Sequence, residues 1–109
     1  NSVCHNDNDA IVLTNTENSV ISYNTISFNK YQGMSLYAAN YNFIFSNIFQ
    51  KNDYENAIKL EKAQNVILER NTCNNNSPND IAVLVYYSNR IYLFDNTFSD
   101  NGDGLIVET

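Results

Sequence analysis

Seven acidic side chains gather at the end of a recurring polar hexad in this chain or just after it: Asp7 and Asp9, Asp53 and Glu55, Asp80, and Asp100 and Asp103. Carboxylates brought together from neighbouring segments can hold Ca²⁺ through oxygen or divide acid and base roles between them. Asp7 and Asp9 are spaced to share one Ca²⁺ with Asn6 or Asn8. The plainer reading of both is a solvated turn. Asp53, Glu55 and Asp80, with Lys59 as the nearby cation, form the best available catalytic set. Arg70 is the other base that charge neutralisation could use. Lys30-Tyr31-Gln32 interrupts the acidic series, so no continuous carboxylate column is expected, and no catalytic role is assigned.

His5 is the only histidine. A nucleophile–base pair needs a partner beside it. Cys4 adjoins it in sequence, but neighbouring residues of an extended strand point to opposite faces. His5 therefore reads as a corner residue exposed to solvent.

These residues sit on a repeat. Asn, any residue, an apolar residue, two of any kind and Asn recur as Asn1-Ser2-Val3-Cys4-His5-Asn6, and again from Asn24 to Asn29, Asn47 to Asn52, Asn71 to Asn76 and Asn96 to Asn101. The leading asparagines lie 23, 23, 24 and 25 residues apart. Ile21, Ile44, Leu68 and Leu93 form a second track with this spacing. A third comes after the hexad as alternating pairs: Ile11/Leu13, Met34/Leu36, Ile58/Leu60, Ile81/Val83 and Leu105/Val107. Local alternation marks strands with one face inward, and no stretch keeps a helical spacing. Strands this short bury a core only when repeats stack, each pairing in parallel with its equivalent ~4.8 Å away.

The expected fold is all-β: a right-handed, single-stranded parallel β-helix of about four and a half coils, with 23–25 residues and three short strands per coil. Residues 1–109 read as one repeat region cut from a longer solenoid, since the chain opens at Asn1 within a repeat and shows no cap. Flanking coils, or self-association through open ends, are the expected neighbours. Inward asparagines can bond from coil to coil, which gives two ladders: Asn1, Asn24, Asn47, Asn71 and Asn96; and Asn6, Asn29, Asn52, Asn76 and Asn101. Asn also tolerates the left-handed bends that corners need, and would take over the turn duty of the scarce glycines, of which there are 3.

At this point the chain resembles the right-handed parallel β-helix repeat proteins of the pectin-lyase-like superfamily. It is most similar to their Asn-rich NosD-like or carbohydrate-associated repeats, N-x-I-x-x-N followed by G-I-x-L. Gly33-Met34-Ser35-Leu36 and Gly104-Leu105-Ile106-Val107 match the second element. In the third coil Asn56 stands for the glycine, with Ala57 inserted. In the fourth, Asp80-Ile81-Ala82-Val83 takes its place. The resemblance implies the fold over the whole chain and, through the range of that superfamily, either a polysaccharide-modifying enzyme or a non-catalytic module. The residues match no lyase, epimerase or polygalacturonase signature. The NosD-like branch implies copper handling in the periplasm, for which Cys4, His5, Met34 and Cys73 are the soft donors. Met34 and Cys73 fall in inward slots and read as core.

The fold also places the cysteines. Three coils at ~4.8 Å each separate Cys4 from Cys73, beyond the ~7 Å that a disulfide spans between Cα atoms. No disulfide is expected. Val20, Phe43, Ile67 and Tyr92 each precede an inward residue and should form an outward apolar stripe. Tyr23, Tyr37, Tyr41, Tyr86 and Tyr87 add rings at strand ends. Such a stripe is covered by a neighbouring segment or stacks on sugar rings. In the second case Phe43, Tyr92, Tyr37, Tyr41 and Tyr86 carry the binding. One sequon, Asn75-Asn76-Ser77, is followed by Pro78.

A net charge of −6 gives no footprint for nucleic acid or anionic lipid, and no apolar run has the ~18 residues of a membrane span. The expected function is a non-catalytic module of a secreted, cell-surface or periplasmic protein, structural and able to contact polysaccharide. No cofactor is expected, and Ca²⁺ is the one candidate ion.

Overall fold

Residues 1–109 are all described by the structure, a computed structural model. Fourteen strands succeed one another: β1 (Ser2–Cys4), β2 (Ile11–Thr14), β3 (Val20–Ser22), β4 (Thr25–Ser27), β5 (Met34–Tyr37), β6 (Phe43–Phe45), β7 (Ile48–Gln50), β8 (Ile58–Glu61), β9 (Gln64–Glu69), β10 (Thr72–Asn74), β11 (Ile81–Tyr86), β12 (Asn89–Phe94), β13 (Thr97–Ser99) and β14 (Asp103–Glu108). Every third strand joins the same sheet. The first sheet holds β1, β4, β7, β10 and β13, the second β2, β5, β8, β11 and β14, and the third β3, β6, β9 and β12. All pairings are parallel, as a solenoid requires. Four full coils are followed by the first two strands of a fifth.

The inward tracks meet in register. Val3, Ile26, Phe49, Cys73 and Phe98 form one column, and Ile21, Ile44, Leu68 and Leu93 another. Ile26, Ile44, Phe49 and Cys73 are fully buried. Burial of each such side chain contributes ~1.5–3 kcal/mol, which three-residue strands could not gain alone. Cys4 and Cys73 are both free thiols.

One expected register is corrected. In the second sheet Ile58 pairs with Val83 and Leu60 with Val85, so the inward pair of the fourth coil is Val83/Val85 and not Ile81/Val83. Ile81 pairs with Asp103 instead. Because side chains alternate with period two, a shift of two residues keeps the same face, so the apolar pattern alone does not reveal it. Ala57 and Ala82 occupy the position of Gly33, since the Ala57 carbonyl accepts from Met34 and the Ile81 carbonyl from Ala57. Asn56 and Asp80 are therefore not the glycine equivalents. Gly33 itself sits where an added Cβ would lie 2.7 Å from the Ala57 carbonyl oxygen.

The ladders form through both amide atoms. Along the first, Asn24, Asn47 and Asn71 each donate Nδ2–H to the Oδ1 of the next, ending at Asn96, at 3.1 Å per step. The second runs from Asn6 through Asn29, Asn52 and Asn76 to Asn101 at 2.8–3.2 Å. Each Oδ1 also accepts the backbone N–H of the preceding asparagine in its ladder, as Asn71 does from Asn47 at 3.0 Å. Asn1, expected at the head of the first ladder, is exposed and its side chain makes no ladder bond; its ammonium donates to the Tyr23 carbonyl instead.

The turn role expected for these asparagines belongs to their neighbours. The residue before each ladder asparagine from Asn6 to Asn101 has positive φ: His5 (58°), Tyr23 (56°), Phe28 (55°), Ser46 (53°), Lys51 (52°), Arg70 (51°), Asn75 (50°), Asp95 (52°) and Asp100 (55°). Two further columns, Asn15/Ala38/Lys62/Tyr87 and Asn18/Tyr41/Asn65/Arg90, bend the remaining corner. No glycine has positive φ. Left-handed backbone costs a non-glycine residue roughly 1–2 kcal/mol. At the nine bends that precede the ladders, the paired asparagine next in the chain, fixed at several atoms, holds the bend in place.

Candidate functional site

The molecule has one cleft, of about 330 Å³, at the corner between the first two sheets. His5, Asn6, Asp7, Phe28, Asn29, Lys30, Lys51 and Asp53 line it. Its geometry arises from the bends. His5, Phe28 and Lys51 occupy equivalent left-handed positions in three successive coils, so their side chains project side by side. The His5 and Phe28 rings stack at 5.3 Å with planes 2° apart, and Lys51 Nζ lies 5.2 Å from the Phe28 centroid. Asp7, Lys30 and Asp53 come directly after the ladder asparagines and form the adjoining column. Neither lysine forms an ion pair, and neither does either aspartate. Two ammonium groups, an imidazole and two carboxylates are thus left to hydrogen-bond something else, around one aromatic face.

The structure separates Asp7 from Asp9. Asp7 enters the cleft, whereas Asp9 Oδ1 accepts the Gln32 backbone N–H at 3.1 Å. No three His, Cys, Asp or Glu side chains surround a common point. The set of Asp53, Glu55, Lys59 and Asp80 is divided: Lys59 lies in β8 and pairs with Glu61 at 3.3 Å. Glu55 accepts Gln32 Nε2–H at 2.5 Å. Burial raises the Asp80 carboxyl above its ordinary pKa. A hydrogen bond from Ser77 opposes this, and the charges of Glu55 and Asp53 add to it. The soft donors do not meet either. Cys4 and His5 are exposed in the first coil, and Met34 and Cys73 are buried two coils apart.

Val20, Phe43, Ile67 and Tyr92 are in register on the outer face of the third sheet. Phe45 and Phe94 flank them, with Phe43 and Phe45 stacked at 4.7 Å and Tyr92 and Phe94 parallel at 6.5 Å. Tyr37 and Tyr86 are not on this face. They end β5 and β11 in the second sheet, on either side of Glu61, and Tyr37 Oη accepts from Lys62 Nζ at 3.0 Å. Tyr41 lies at the corner between, and Tyr23 packs edge-on against Phe45.

The cleft is hard to find in the sequence because its signal is a pair of columns, 5/28/51 and 7/30/53, rather than a motif. In linear order Lys30 is only an interruption of the acidic series.

The whole chain, residues 1–109, matches the family described as right handed beta helix region. It belongs to that family. No curated protein matches it. Among solved structures, the β-helix is similar to the A-module of a mannuronan C-5 epimerase from Azotobacter vinelandii, with a TM-score of 0.88 and 16% identity over 98% of this chain. It is also similar to the periplasmic alginate epimerase AlgG, with a TM-score of 0.66 and 16% identity over 89% of this chain. The β-helix chain spans about a third of each, 33% and 32%. At this identity the likeness concerns the fold.

Proposed function

We propose that this chain is a polysaccharide-binding stretch of a β-helix protein and that the corner cleft holds an acidic sugar. The carrying observation is the unpaired set around Phe28. Lys30 and Lys51 supply donors for a sugar carboxylate, Asp7 and Asp53 accept from ring hydroxyls, and the His5–Phe28 stack offers a face to the apolar side of a pyranose. The names of the two similar structures, a mannuronan and an alginate epimerase, support a polyuronate as the polymer. Neighbouring coils are ~4.8 Å apart, a spacing suited to a chain laid along the solenoid axis. The aromatic face of the third sheet, with Phe43 and Tyr92, is a second platform in this reading. Tyr37, Tyr41 and Tyr86 extend contacts around the corner beside it. An extracellular, cell-surface or periplasmic location goes with such a ligand. The role is binding rather than turnover, because the candidate acid and base groups do not converge.

Calorimetric titration of the intact protein with oligomannuronate, beside a neutral oligosaccharide of equal length, tests the proposal. Binding of the acidic oligomer, weakened at least tenfold by Lys30→Ala combined with Lys51→Ala, is the expected result. Equal affinity for the neutral oligomer, or no heat with either, sinks it.

A further inference from the structure

Glycine follows an asparagine at one place in the chain, Asn101-Gly102. Packing demands that glycine: a Cβ at position 102 would lie 2.6 Å from the Pro78 carbonyl oxygen and 2.8 Å from that of Asp80. The turn closed by the Asp80 N–H on the Ser77 carbonyl runs directly against it, and no side chain fits without moving backbone. The residue after each second-ladder asparagine otherwise has a fixed backbone bond to the coil before. Lys30 N–H donates to the Asn6 carbonyl at 3.0 Å, Asp53 to Asn29 at 2.9 Å and Ser77 to Asn52 at 3.3 Å. Gly102 is the next of this series, yet its N–H makes no such bond to Asn76. The Asn101 carboxamide, in contrast, is held at both ends. Its Oδ1 accepts the Asn76 backbone N–H at 3.3 Å and Nδ2–H at 2.9 Å, and its Nδ2 donates to the Cys73 carbonyl at 2.9 Å. An unengaged backbone nitrogen thus comes next in the chain to a carboxamide restrained by three hydrogen bonds.

We propose that Asn101-Gly102 is a self-modification site, at which the Gly102 backbone nitrogen displaces ammonia from the Asn101 carboxamide. Base removes the Gly102 amide proton, the nitrogen bonds to Asn101 Cγ, and the Cγ–Nδ2 bond breaks with Nδ2 leaving as ammonia. Water then adds to either carbonyl carbon of the cyclic imide and breaks its bond to nitrogen. The product is aspartate or, where the backbone carbonyl is the one opened, isoaspartate. Only water and hydroxide are consumed. Glycine leaves the attacking nitrogen uncrowded, whereas every other ladder asparagine is followed by a residue with a Cβ. The ladder restrains the step, since the carboxamide must leave Asn76 and Cys73 to turn toward Gly102. Once made, the change does not reverse. An oxygen replaces the Nδ2 donor opposite the Cys73 carbonyl and leaves two acceptors face to face. Isoaspartate also lengthens the main chain by one methylene beside the Pro78–Asp80 backbone, where there is no spare room. Either product loosens the fifth coil from the fourth.

The test is incubation of the intact folded protein at pH 8, with peptide mapping by mass spectrometry to follow each asparagine. Conversion of Asn101 ahead of all others, to a mixture of aspartate and isoaspartate, is expected, and its rate should rise with pH. In guanidinium, where the ladder is gone, it should be at least tenfold faster. Asn76→Ala, which removes one bond to Asn101 Oδ1, should speed it in the folded state, with circular dichroism reporting the fold. Asn101→Asp, a mimic of one product, should quicken hydrogen exchange at the Asp103 amide, which donates to the Asp80 carbonyl. Earlier conversion at another asparagine, an unchanged Asn101 in folded protein while the unfolded chain converts, or equal rates in the two states overturns the proposal.

Discussion

Asn52 Nδ2 donates to Asn76 Oδ1 at 3.2 Å across the boundary between two coils, and neither side chain is more than 4% exposed. Asn52 also donates to the Ile26 carbonyl, and its Oδ1 accepts from both the backbone and the side chain of Asn29. Its amide thus links three coils. Asn52→Leu keeps the volume and strands these partners, each at a cost of about 1–3 kcal/mol. A loss of at least ~3 kcal/mol is expected in urea unfolding of the intact protein. A loss under ~1 kcal/mol would show that the ladder contributes little.

Ile44 is completely buried between Ile21 and Leu68. Ile44→Asp places an unpaired carboxylate there and should cost more than ~3 kcal/mol. Near-native stability by denaturant titration would contradict the inward assignment.

Burial pushes the Cys73 thiol up to about 12, while Cys4 is exposed. The thiolate is the reactive form. Iodoacetamide at pH 8 should therefore modify Cys4 alone in the folded protein and both cysteines in guanidinium. Equal native rates, measured by mass spectrometry, would place Cys73 outside the core.

Asp80 has a raised folded-state pKa, so its stabilising contribution is complete below its unfolded value and is lost as pH rises through the folded one. Asp80→Asn should accordingly be more stable than the parent at pH 7, and the difference should shrink toward pH 4. A variant less stable at both pH values would exclude this effect.

The left-handed bends lead to an expectation of opposite sign for two substitutions at one position. Ala38 has φ of 48°. Ala38→Gly removes the Cβ clash and should stabilise by up to ~1 kcal/mol, partly offset by the entropy of glycine. Ala38→Val should destabilise. Paired melts of the two variants would decide the matter, and identical shifts would show that the corner is unstrained.

Much of the fold is legible in the sequence because burial writes itself as periodicity. The columns through Ile26 and Ile44, and every ladder member from Asn6 to Asn101, can be read from spacing alone. Three features cannot. The Val83/Val85 register is hidden because a two-residue slip leaves the same residues facing inward. Propensity assigns the bends to the asparagines because Asn tolerates positive φ, but the fold puts His, Tyr, Phe, Lys and Arg there and anchors each through the ladder asparagine after it. The cleft is invisible in linear order because Lys30 and Asp53, 23 residues apart, become neighbours only when successive coils are laid over one another. Asn42, buried and accepting the Ser19 N–H at 2.9 Å, extends the same logic to the third sheet without belonging to either expected ladder.

The bends immediately before the ladder asparagines bear on how such a surface changes over time. Since the backbone there is held by the next residue, the bent position tolerates imidazole, phenol, ammonium, guanidinium, hydroxyl or carboxylate alike. Each coil therefore presents outward-pointing sites whose chemistry is separable from the information that makes the chain fold. Selection can rewrite the surface that meets other molecules, one side chain per coil, while leaving the interior text unedited.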